Sequence, residues 1–283
     1  MTATLIIFHD VCRDGFCAAW VLDKVVRGEK TFHPALYGEK PPMDLILGRD
    51  VIIADFCYPL EEMRAILASA NSLTVFDHHK TAEPVLRALG PAGEVLGPEL
   101  EIHFDNNRSG ARMVWDHFSH PNQTIPWLVT YTEDRDLWRW KLPESKAVNA
   151  YISALPFHFA RWDEAARNTV ERVADSGYDI LMKIEQYCDD VCKQARTIVF
   201  HGYNTPIVNA AYPDLSEVLN ALLTKTGASI SMGWFQRADG KYQYSLRSAG
   251  EVDVGELAKR YGGGGHHNAA GFETITKVLG RAI

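Results

Sequence analysis

Acidic and histidine side chains follow three short apolar segments in the first third of the chain. The segments cover residues 4–8, 51–54 and 73–76. The side chains that follow them are His9, Asp10 and Asp14, then Asp55, then Asp77, His78 and His79. Carboxylate oxygens and imidazole nitrogens are the donors that Mn²⁺, Mg²⁺, Fe and Zn²⁺ take in proteins. If these side chains meet, they suffice for two divalent ions that share a carboxylate and activate water against a phosphate.

The segments themselves predict an α/β fold. Short, fully apolar runs separated by helical patterns are typical of strands buried on both faces of a parallel sheet. Apolar residues at helical spacing occur in 16–26 and in about 60–70, between the three runs. Because ligands bind open α/β sheets at the carboxyl ends of the strands, we expect the ionisable side chains to meet at one edge.

A simpler interpretation is that each Asp caps the helix after its strand, as Asp often does. For any single Asp we favour the cap. For the whole set, with the contiguous Asp77, His78 and His79, we favour a metal centre. Asp134 and Asp136 lie further along the chain, and Asp136 is open to two roles, a ligand or an ion-pair partner of a neighbouring arginine.

The rest of the chain predicts a second, smaller α/β domain. Helices are expected at 109–118 and 127–131, followed by a long, charged helical connector at about 162–196. Beyond it come strand patterns at 206–208, 229–235 and 242–246 and helical patterns at 215–223 and 254–261. We therefore place the domains at 1–196, including the connector, and 197–283.

Four consecutive glycines at 262–265 stand directly before two histidines. Glycine lets the backbone approach a ligand and offer its N–H groups to an anion. A flexible hinge or a helix C-cap is the simpler interpretation. The histidine pair leads us to favour anion recognition by Gly264, Gly265, His266 and His267.

Composition excludes some classes of protein. The charge sum, 29 − 36 = −7, and a pI near 5.9 argue against a generally basic nucleic-acid clamp. Five cysteines without a CxxC pair predict neither a disulfide framework nor a zinc knuckle, and favour a reduced cytoplasmic setting. We find no signal peptide and no run of about 18 apolar residues, so we expect no membrane partner. The oligomeric state is not predicted.

Three motifs of the first half, taken in order, resemble the DHH phosphoesterase superfamily. They are Phe8-His9-Asp10-Val11-Cys12-Arg13-Asp14-Gly15, Ala54-Asp55 and Val75-Phe76-Asp77-His78-His79. The segment 262–272, which contains the four glycines, looks like the glycine-rich motif of the DHH-associated domain. This pairing occurs in RecJ-type exonucleases, nano-RNases and related oligonucleotide phosphodiesterases, and the resemblance covers nearly the whole chain.

The resemblance implies a two-lobed enzyme. It would have an α/β/α DHH domain with a parallel sheet, a smaller substrate domain, and a cleft between them that holds two divalent ions, with Mn²⁺ favoured over Mg²⁺. The metal ligands carried over by position are Asp14, Asp55, His78 and Asp134, with Asp55 bridging. In the same way His79 would contact the scissile phosphate or assist the leaving group, while Asp77 would hold an imidazole in its useful tautomer.

The first motif departs from the family pattern, because Cys12 stands where the family commonly has Asp. We expect His9 to supply the missing ligand. Cys12 is suited to a softer metal, but a buried bystander thiol is the favoured interpretation.

Three further residues are candidates for substrate binding through the resemblance. Arg247 stands where family members grip substrate, although alone it would be taken for a surface residue. Arg108 and Ser109 precede a helix whose N-terminus lies near the family's cleft, but an N-cap explains Ser109 equally well.

These observations together predict a metal-dependent phosphohydrolase. The favoured reaction is cleavage of phosphodiester bonds in short oligonucleotides to mononucleotides by metal-activated water. A short substrate is favoured because a long strand needs many phosphate-neutralising cations and no basic block is present. The alternatives are another small phosphate compound, namely a cyclic dinucleotide, phosphoadenosine phosphate or polyphosphate, and a nucleotide sensor that does not hydrolyse its ligand.

Overall fold

The computed structural model describes residues 3–90, 100–120, 122–211, 214–278 and 281–282. The chain divides into two units, Met1–Leu181 and Met182–Ile283, and the described residues of each unit form two hydrophobic cores. Within the described residues, no helix combines the length and the apolar character needed to cross a membrane.

The first unit is built on a parallel sheet. Its strands are β1 (Thr4–His9), β2 (Lys30–Ala35), β3 (Asp50–Ala54), β4 (Ser72–Asp77) and β5 (Leu100–Phe104). They are ordered β2-β1-β3-β4-β5, and every neighbouring pair is parallel. The expected parallel-sheet α/β fold of the N-terminal domain is confirmed.

Nine helices of the described chain accompany these strands. They are α1 (Arg13–Val25), α2 (Met43–Ile46), α3 (Leu60–Ser69), α4 (Glu83–Leu89), α5 (Gly110–Phe118), α6 (Trp127–Asp136), α7 (Ser145–Ala154), α8 (Phe159–Ala166) and α9 (Val170–Cys192). The expected connector is thus two helices, interrupted at 167–169, and the division between the units falls within α9. The helix expected at 127–131 continues to Asp136, which matters for the site below.

The central strands are mainly apolar because both faces of the sheet are covered. In β1, Ile6 and Phe8 belong to one core and Leu5 and Ile7 to the other, and all four are buried. Each such side chain contributes about 1.5–3 kcal/mol by burial. The two cores therefore hold the carboxyl ends of β1, β3 and β4 in fixed positions relative to one another.

The second unit contains a mixed sheet. Its strands are β6 (Arg196–Phe200), β7 (Tyr203–Asn209), β8 (Ile230–Gln236), β9 (Tyr242–Ser248), β10 (Gly264–His266), β11 (Ala269–Thr274) and β12 (Arg281–Ala282). The helices are α10 (Leu215–Thr226) and α11 (Val254–Lys259). The sheet order is β10-β11-β9-β8-β7-β6-β12, in which only β7 and β8 pair in parallel. This confirms a second, smaller α/β domain at the C-terminal end.

Candidate metal centre

Three neighbouring strands end at the same edge of the first sheet and carry ionisable side chains there. His9 is the last residue of β1, Asp55 directly follows β3, and Asp77 is the last residue of β4. Because these strands are parallel neighbours, their carboxyl ends meet, as the sequence pattern predicts.

Asp55 is the centre of this cluster. One carboxylate oxygen, Oδ1, lies 3.2 Å from His78 Nε2 and 3.9 Å from His79 Nδ1, and the other, Oδ2, lies 3.5 Å from His9 Nδ1. The side chain is 1% exposed. Two sets of potential metal donors contain it, each with its donor atoms within 4.8 Å: His9 with Asp55 and His79, and Asp14 with Asp55 and His78. Asp55 therefore lies in two overlapping sets of potential metal donors.

The backbone is strained where it delivers these groups. Asp55 has φ +58°, and Val11, in the loop between β1 and α1, has φ +56°. A left-handed conformation at such residues costs about 1–3 kcal/mol and is retained at functional sites. The N–H of Asp55 donates to the carbonyl of Phe76 at 2.8 Å, which holds the strained residue against the end of β4.

Asp14 lies in the first turn of α1 and is 1% exposed. Its carboxylate accepts the backbone N–H groups of Gly110, at 2.6 Å, and Ala111, at 3.2 Å, which begin α5. Burial, followed by the nearby charges of Asp55 and Asp136, raises the pKa of Asp14. Capping and metal binding are thus compatible here, because the same carboxylate meets a helix N-terminus and the donor cluster.

Asp134 and Asp136 separate in the structure. The carboxylate of Asp134 accepts from Ser145 Oγ at 2.6 Å and from the backbone N–H groups of Lys141 and Leu142. Asp136 Oδ2 instead lies 3.3 Å from His78 Nε2. Residues two apart on a helix point about 200° apart, so α6 can present only one of the two to the cluster. Of this pair the structure brings Asp136, and not Asp134, to the other candidate ligands.

Several donor atoms of the cluster are buried without a hydrogen-bond partner among the described residues. They are His9 Nδ1, Asp55 Oδ2 and Asp136 Oδ2. Buried polar atoms of native proteins are almost always partnered. Carboxylate oxygens and imidazole nitrogens converging without partners fit one or more divalent cations.

Asp77 holds His79 rather than joining the donor cluster. Its Oδ1 accepts from His79 Nδ1 at 2.7 Å and from the backbone N–H groups of His78 and His79, at 2.7 and 3.0 Å. The ring is therefore oriented with its proton on Nδ1. Burial opposes the charged form of His79, but the Asp77 carboxylate outweighs it and raises the pKa of His79.

Cys12 is the N-cap residue of α1 and lies beside the same acidic groups. Burial, and then the charges of Asp55, Asp136 and Asp14, raise the pKa of its thiol. The thiol is accordingly protonated at neutral pH, in keeping with the interpretation of a bystander.

The side chains of Arg108 and Ser109 have structural contacts. Arg108 is 41% exposed and donates to Asp105 at 2.8 Å and to Asp116 at 3.2 Å. Ser109 is fully buried, and its hydroxyl oxygen accepts the N–H of Arg112 as the N-cap of α5. We assign both residues to positioning α5.

An aromatic group beside the cluster was missed from the sequence. The ring of Tyr37, just after β2, lies 5.1 Å from the ring of His9 and 6.3 Å from that of His79, between centroids. Its side chain is 55% exposed. A lone Tyr after a polar strand offers no signal in the sequence, because only the sheet order puts β2 beside β1.

The candidate substrate residues of the C-terminal unit lie on β9, β10 and the turn after it. Arg247 donates to Ser216 Oγ at 2.6 Å and to the carbonyl of Leu246 at 2.8 Å. Gly264, Gly265 and His266 form β10, which pairs with β11, and the carbonyl of His267 accepts the N–H of Val254.

Close packing accounts for part of the glycine run. A Cβ on Gly263 would lie 2.1 Å from the carbonyl oxygen of Gly271, and one on Gly265 would lie 2.5 Å from that of Ala269. The N–H groups of Gly262 and Gly263 donate to carbonyls of α11. The N–H groups of Gly262 and Gly263 are therefore used to terminate α11. Anion binding by Gly264 and Gly265 stays a prediction.

Comparisons with known proteins agree with this fold. Residues 207–282 match the DHHA1 domain family. The chain is 27% identical to an uncharacterized protein of Acanthamoeba polyphaga mimivirus over 95% of this chain, and it spans 66% of that protein's length.

Three solved structures share the fold at low sequence identity. One is a pGpG-specific phosphodiesterase of Vibrio cholerae, with TM-score 0.52 and 15% identity over 96% of this chain and 92% of that one. Another is an exopolyphosphatase-related protein of Bacteroides fragilis, with TM-score 0.53 and 15% identity over 98% and 88%. The third is the DHH domain of a protein assigned to a family of ribosomal proteins, with TM-score 0.59 and 13% identity over 95% and 82%.

The fold and the converging donors define an α/β protein of two units, the first of which carries a cluster of potential metal donors. The C-terminal match to the DHHA1 family agrees with the motifs at the ends of β1, β3 and β4, and the structural neighbours share the fold. The match of residues 207–282 to the DHHA1 domain family and the fold shared with a DHH domain support the resemblance of the chain to the DHH superfamily of phosphoesterases. The acidic and histidine cluster offers the carboxylate oxygens and imidazole nitrogens that divalent cations take in proteins.

Gly110→Ala tests how tightly α5 is seated on the cluster. A Cβ there would lie 2.7 Å from Asp55 Cβ and 3.0 Å from Asp14 Oδ2, so α5 would have to move. We expect destabilisation of about 1–3 kcal/mol and a loss of metal affinity on the order of 10–100-fold, measured by chemical denaturation and metal titration. Gly177→Ala is the control, because its Cβ would clash with the carbonyl of Ala147. It should destabilise the fold while folded protein keeps its metal affinity; equal affinities in both variants would contradict the prediction for Gly110.

Metal binding should displace a proton from His78. Burial opposes its charged form, but Asp136, Asp55 and Asp14 outweigh it and raise the pKa of His78 to about 10 in the metal-free protein. His78 is therefore charged at pH 8, and coordination through Nε2 requires its neutral form. We expect about one proton to be released when a metal ion binds to His78. The affinity for the metal should fall about tenfold per pH unit between pH 9 and 7. Titration calorimetry in buffers of different ionisation enthalpy measures this; pH-independent affinity without proton release would remove His78 as a ligand.

Proposed function

We propose that the protein hydrolyses phosphodiester bonds of short oligonucleotides to mononucleotides, using two divalent metal ions, with Mn²⁺ preferred over Mg²⁺. The observation that carries this proposal is the position of Asp55, whose two carboxylate oxygens face His78 and His9, at 3.2 and 3.5 Å. A shared carboxylate is the usual bridge in two-metal sites, whose ions lie about 3.5–4 Å apart.

The proposed metal ligands are His9, Asp14, Asp55, His78 and Asp136. Asp136 replaces Asp134 in this set because its oxygen lies beside His78. Asp134 instead accepts from Ser145 at the start of α7 and from N–H groups of the loop after α6. Bound divalent ions would supply activation of water and neutralisation of phosphate charge.

The chain itself supplies orientation and a proton. Asp77 fixes the ring of His79 through Nδ1, and the raised pKa of His79 keeps a proton available for the leaving oxygen. In the C-terminal unit, we propose that Arg247, Gly264, Gly265, His266 and His267 bind the substrate, because a guanidinium and backbone N–H groups suit phosphate oxygens.

A nucleotide substrate is favoured by the ring of Tyr37 beside His9, in a residue that is 55% exposed. A nucleobase stacked on an aromatic side chain gains about 1–3 kcal/mol, which polyphosphate cannot. The net charge of −7 favours a short substrate, because a long strand would need many compensating cations. The pGpG-specific phosphodiesterase among the structural neighbours bears a name consistent with such a substrate.

A substrate panel tests the proposal. A linear dinucleotide, a cyclic dinucleotide, phosphoadenosine phosphate and polyphosphate are incubated side by side with the protein and Mn²⁺. We expect the linear dinucleotide to be converted fastest to mononucleotides, with turnover abolished by EDTA. If one of the other three compounds is hydrolysed faster, that compound defines the substrate class instead. If a compound binds tightly and none of the four is hydrolysed, the protein is a nucleotide sensor.

His79→Ala separates catalysis from metal binding. Removing the general acid should lower kcat by about 10²–10⁴-fold, while the metal content stays near that of the unchanged protein. The measurements are the steady-state rate and the metal bound per chain after dialysis. A large loss of metal would show that His79 is itself a ligand and that the roles of His78 and His79 are exchanged.

A further inference from the structure

A second group of metal donors lies on the edge strand β5 of the first unit, outside the cluster around Asp55. Glu101 and His103 are two residues apart on β5, so their side chains project from the same face of the sheet. His103 is paired with Phe76 on β4, and their rings are stacked with centroids 4.6 Å apart and planes at 7°. The stack fixes the imidazole on the face that α5 covers.

His117, in the last turn of α5, completes the group. Its ring centroid lies 4.6 Å from that of His103, and its Nδ1 is 3.7 Å from Glu101 Oε1. The same Glu101 oxygen lies 2.8 Å from His103 Nε2. One donor atom from each of the three residues lies within 4.8 Å of the others.

These distances suit a small divalent cation. Ligand atoms at about 2.0–2.1 Å from a tetrahedral zinc ion lie about 3.3–3.4 Å from one another. The distances of 2.8 and 3.7 Å bracket that value, so side-chain movements of less than an ångström would bring the donors to a common ion. The three side chains are 23–28% exposed, which leaves room for water as a further ligand.

A simpler interpretation of the group is a hydrogen bond from His103 to Glu101, with the ring of His117 packed on Phe76.

We propose that Glu101, His103 and His117 form a second metal site with the donor set of a zinc or other late first-row transition-metal ion. Two imidazoles and one carboxylate favour such an ion over Mg²⁺. This site is independent of the phosphohydrolase centre, since it shares no ligand with it.

Equilibrium dialysis against buffered free Zn²⁺ at pH 7.5 tests the site. We expect His117→Ala to bind one zinc ion fewer per chain than the unchanged protein, through a loss of affinity on the order of 100-fold or more. Glu101→Gln should weaken zinc binding likewise, while its amide oxygen still accepts from His103 and preserves the fold. Hydrolysis in Mn²⁺ should be unchanged in both variants.

His120→Ala is the matched control, since His120 follows α5 and lies outside the group. It should bind as much zinc as the unchanged protein. Equal zinc stoichiometry and affinity in the unchanged protein and in folded His117→Ala and Glu101→Gln would overturn the proposal. The comparison stands whether or not a substrate is found for the other centre.

Discussion

Asp55→Asn is expected to abolish metal-dependent hydrolysis, with a loss on the order of 10³-fold or more, because the shared carboxylate supplies several kcal/mol of charge stabilisation. The asparagine keeps the size of the side chain and tolerates the left-handed backbone at this position. It removes the negative charge that faces His9, His78 and His79. Both the rate and the metal bound per chain should fall, as measured by steady-state kinetics and by metal analysis after dialysis.

Asp50→Asn is a control on the same strand. Asp50 begins β3, at the opposite end from Asp55, where its carboxylate accepts from Asn71 and Ser72. This variant should retain both rate and metal. Full activity of Asp55→Asn in Mn²⁺ would exclude a bridging role and would remove the main support for the proposed function.

Asp136→Asn and Asp134→Asn should fail in different ways. Asp136→Asn removes the charge 3.3 Å from His78 Nε2 and should lower metal affinity about 10–100-fold or more with little change in stability. Asp134→Asn weakens the contacts to Ser145 and to the N–H groups of Lys141 and Leu142, and should cost about 1–3 kcal/mol of unfolding free energy. Folded Asp134→Asn should bind metal normally.

Denaturant unfolding and metal titration of the two variants, run in parallel, distinguish these outcomes. The pair is well matched, since both residues lie on α6 and undergo the same chemical change. The opposite result would be that Asp134→Asn loses metal at unchanged stability while Asp136→Asn binds metal normally. In that case Asp134 is the ligand, as the family pattern implies, and the assignment of Asp136 is wrong.

Much of the fold is readable from local patterns. The apolar runs in β1, β3 and β4 are long enough and β-prone enough to indicate buried strands without any tertiary information. The polar edge strands β2 and β5 have no such pattern, because each is covered less completely than the central strands. The sequence therefore predicts neither of these strands, nor the surroundings of Tyr37 and the group around His103.

The choice of ligands depends on where a helix ends and on which of its faces is turned toward the site. A helix stopped at residue 131 leaves Asp134 and Asp136 in a loop, where either could turn to a metal. Continuation of α6 to Asp136 gives the two carboxylates fixed and opposed directions. The capping of α5 by Asp14 likewise requires two segments 96 residues apart to meet.

The sequence by itself determined the α/β class and the presence of acidic and histidine groups after β1, β3 and β4, because chain direction in a parallel sheet places successive strand ends on one side. Only the tertiary structure decided that Asp55 is shared by two donor sets, that Asp136 rather than Asp134 faces His78, and that Asp77 is used to orient His79. The physical reason is that side-chain direction depends on helix length, backbone φ and packing between distant segments, none of which residue spacing encodes.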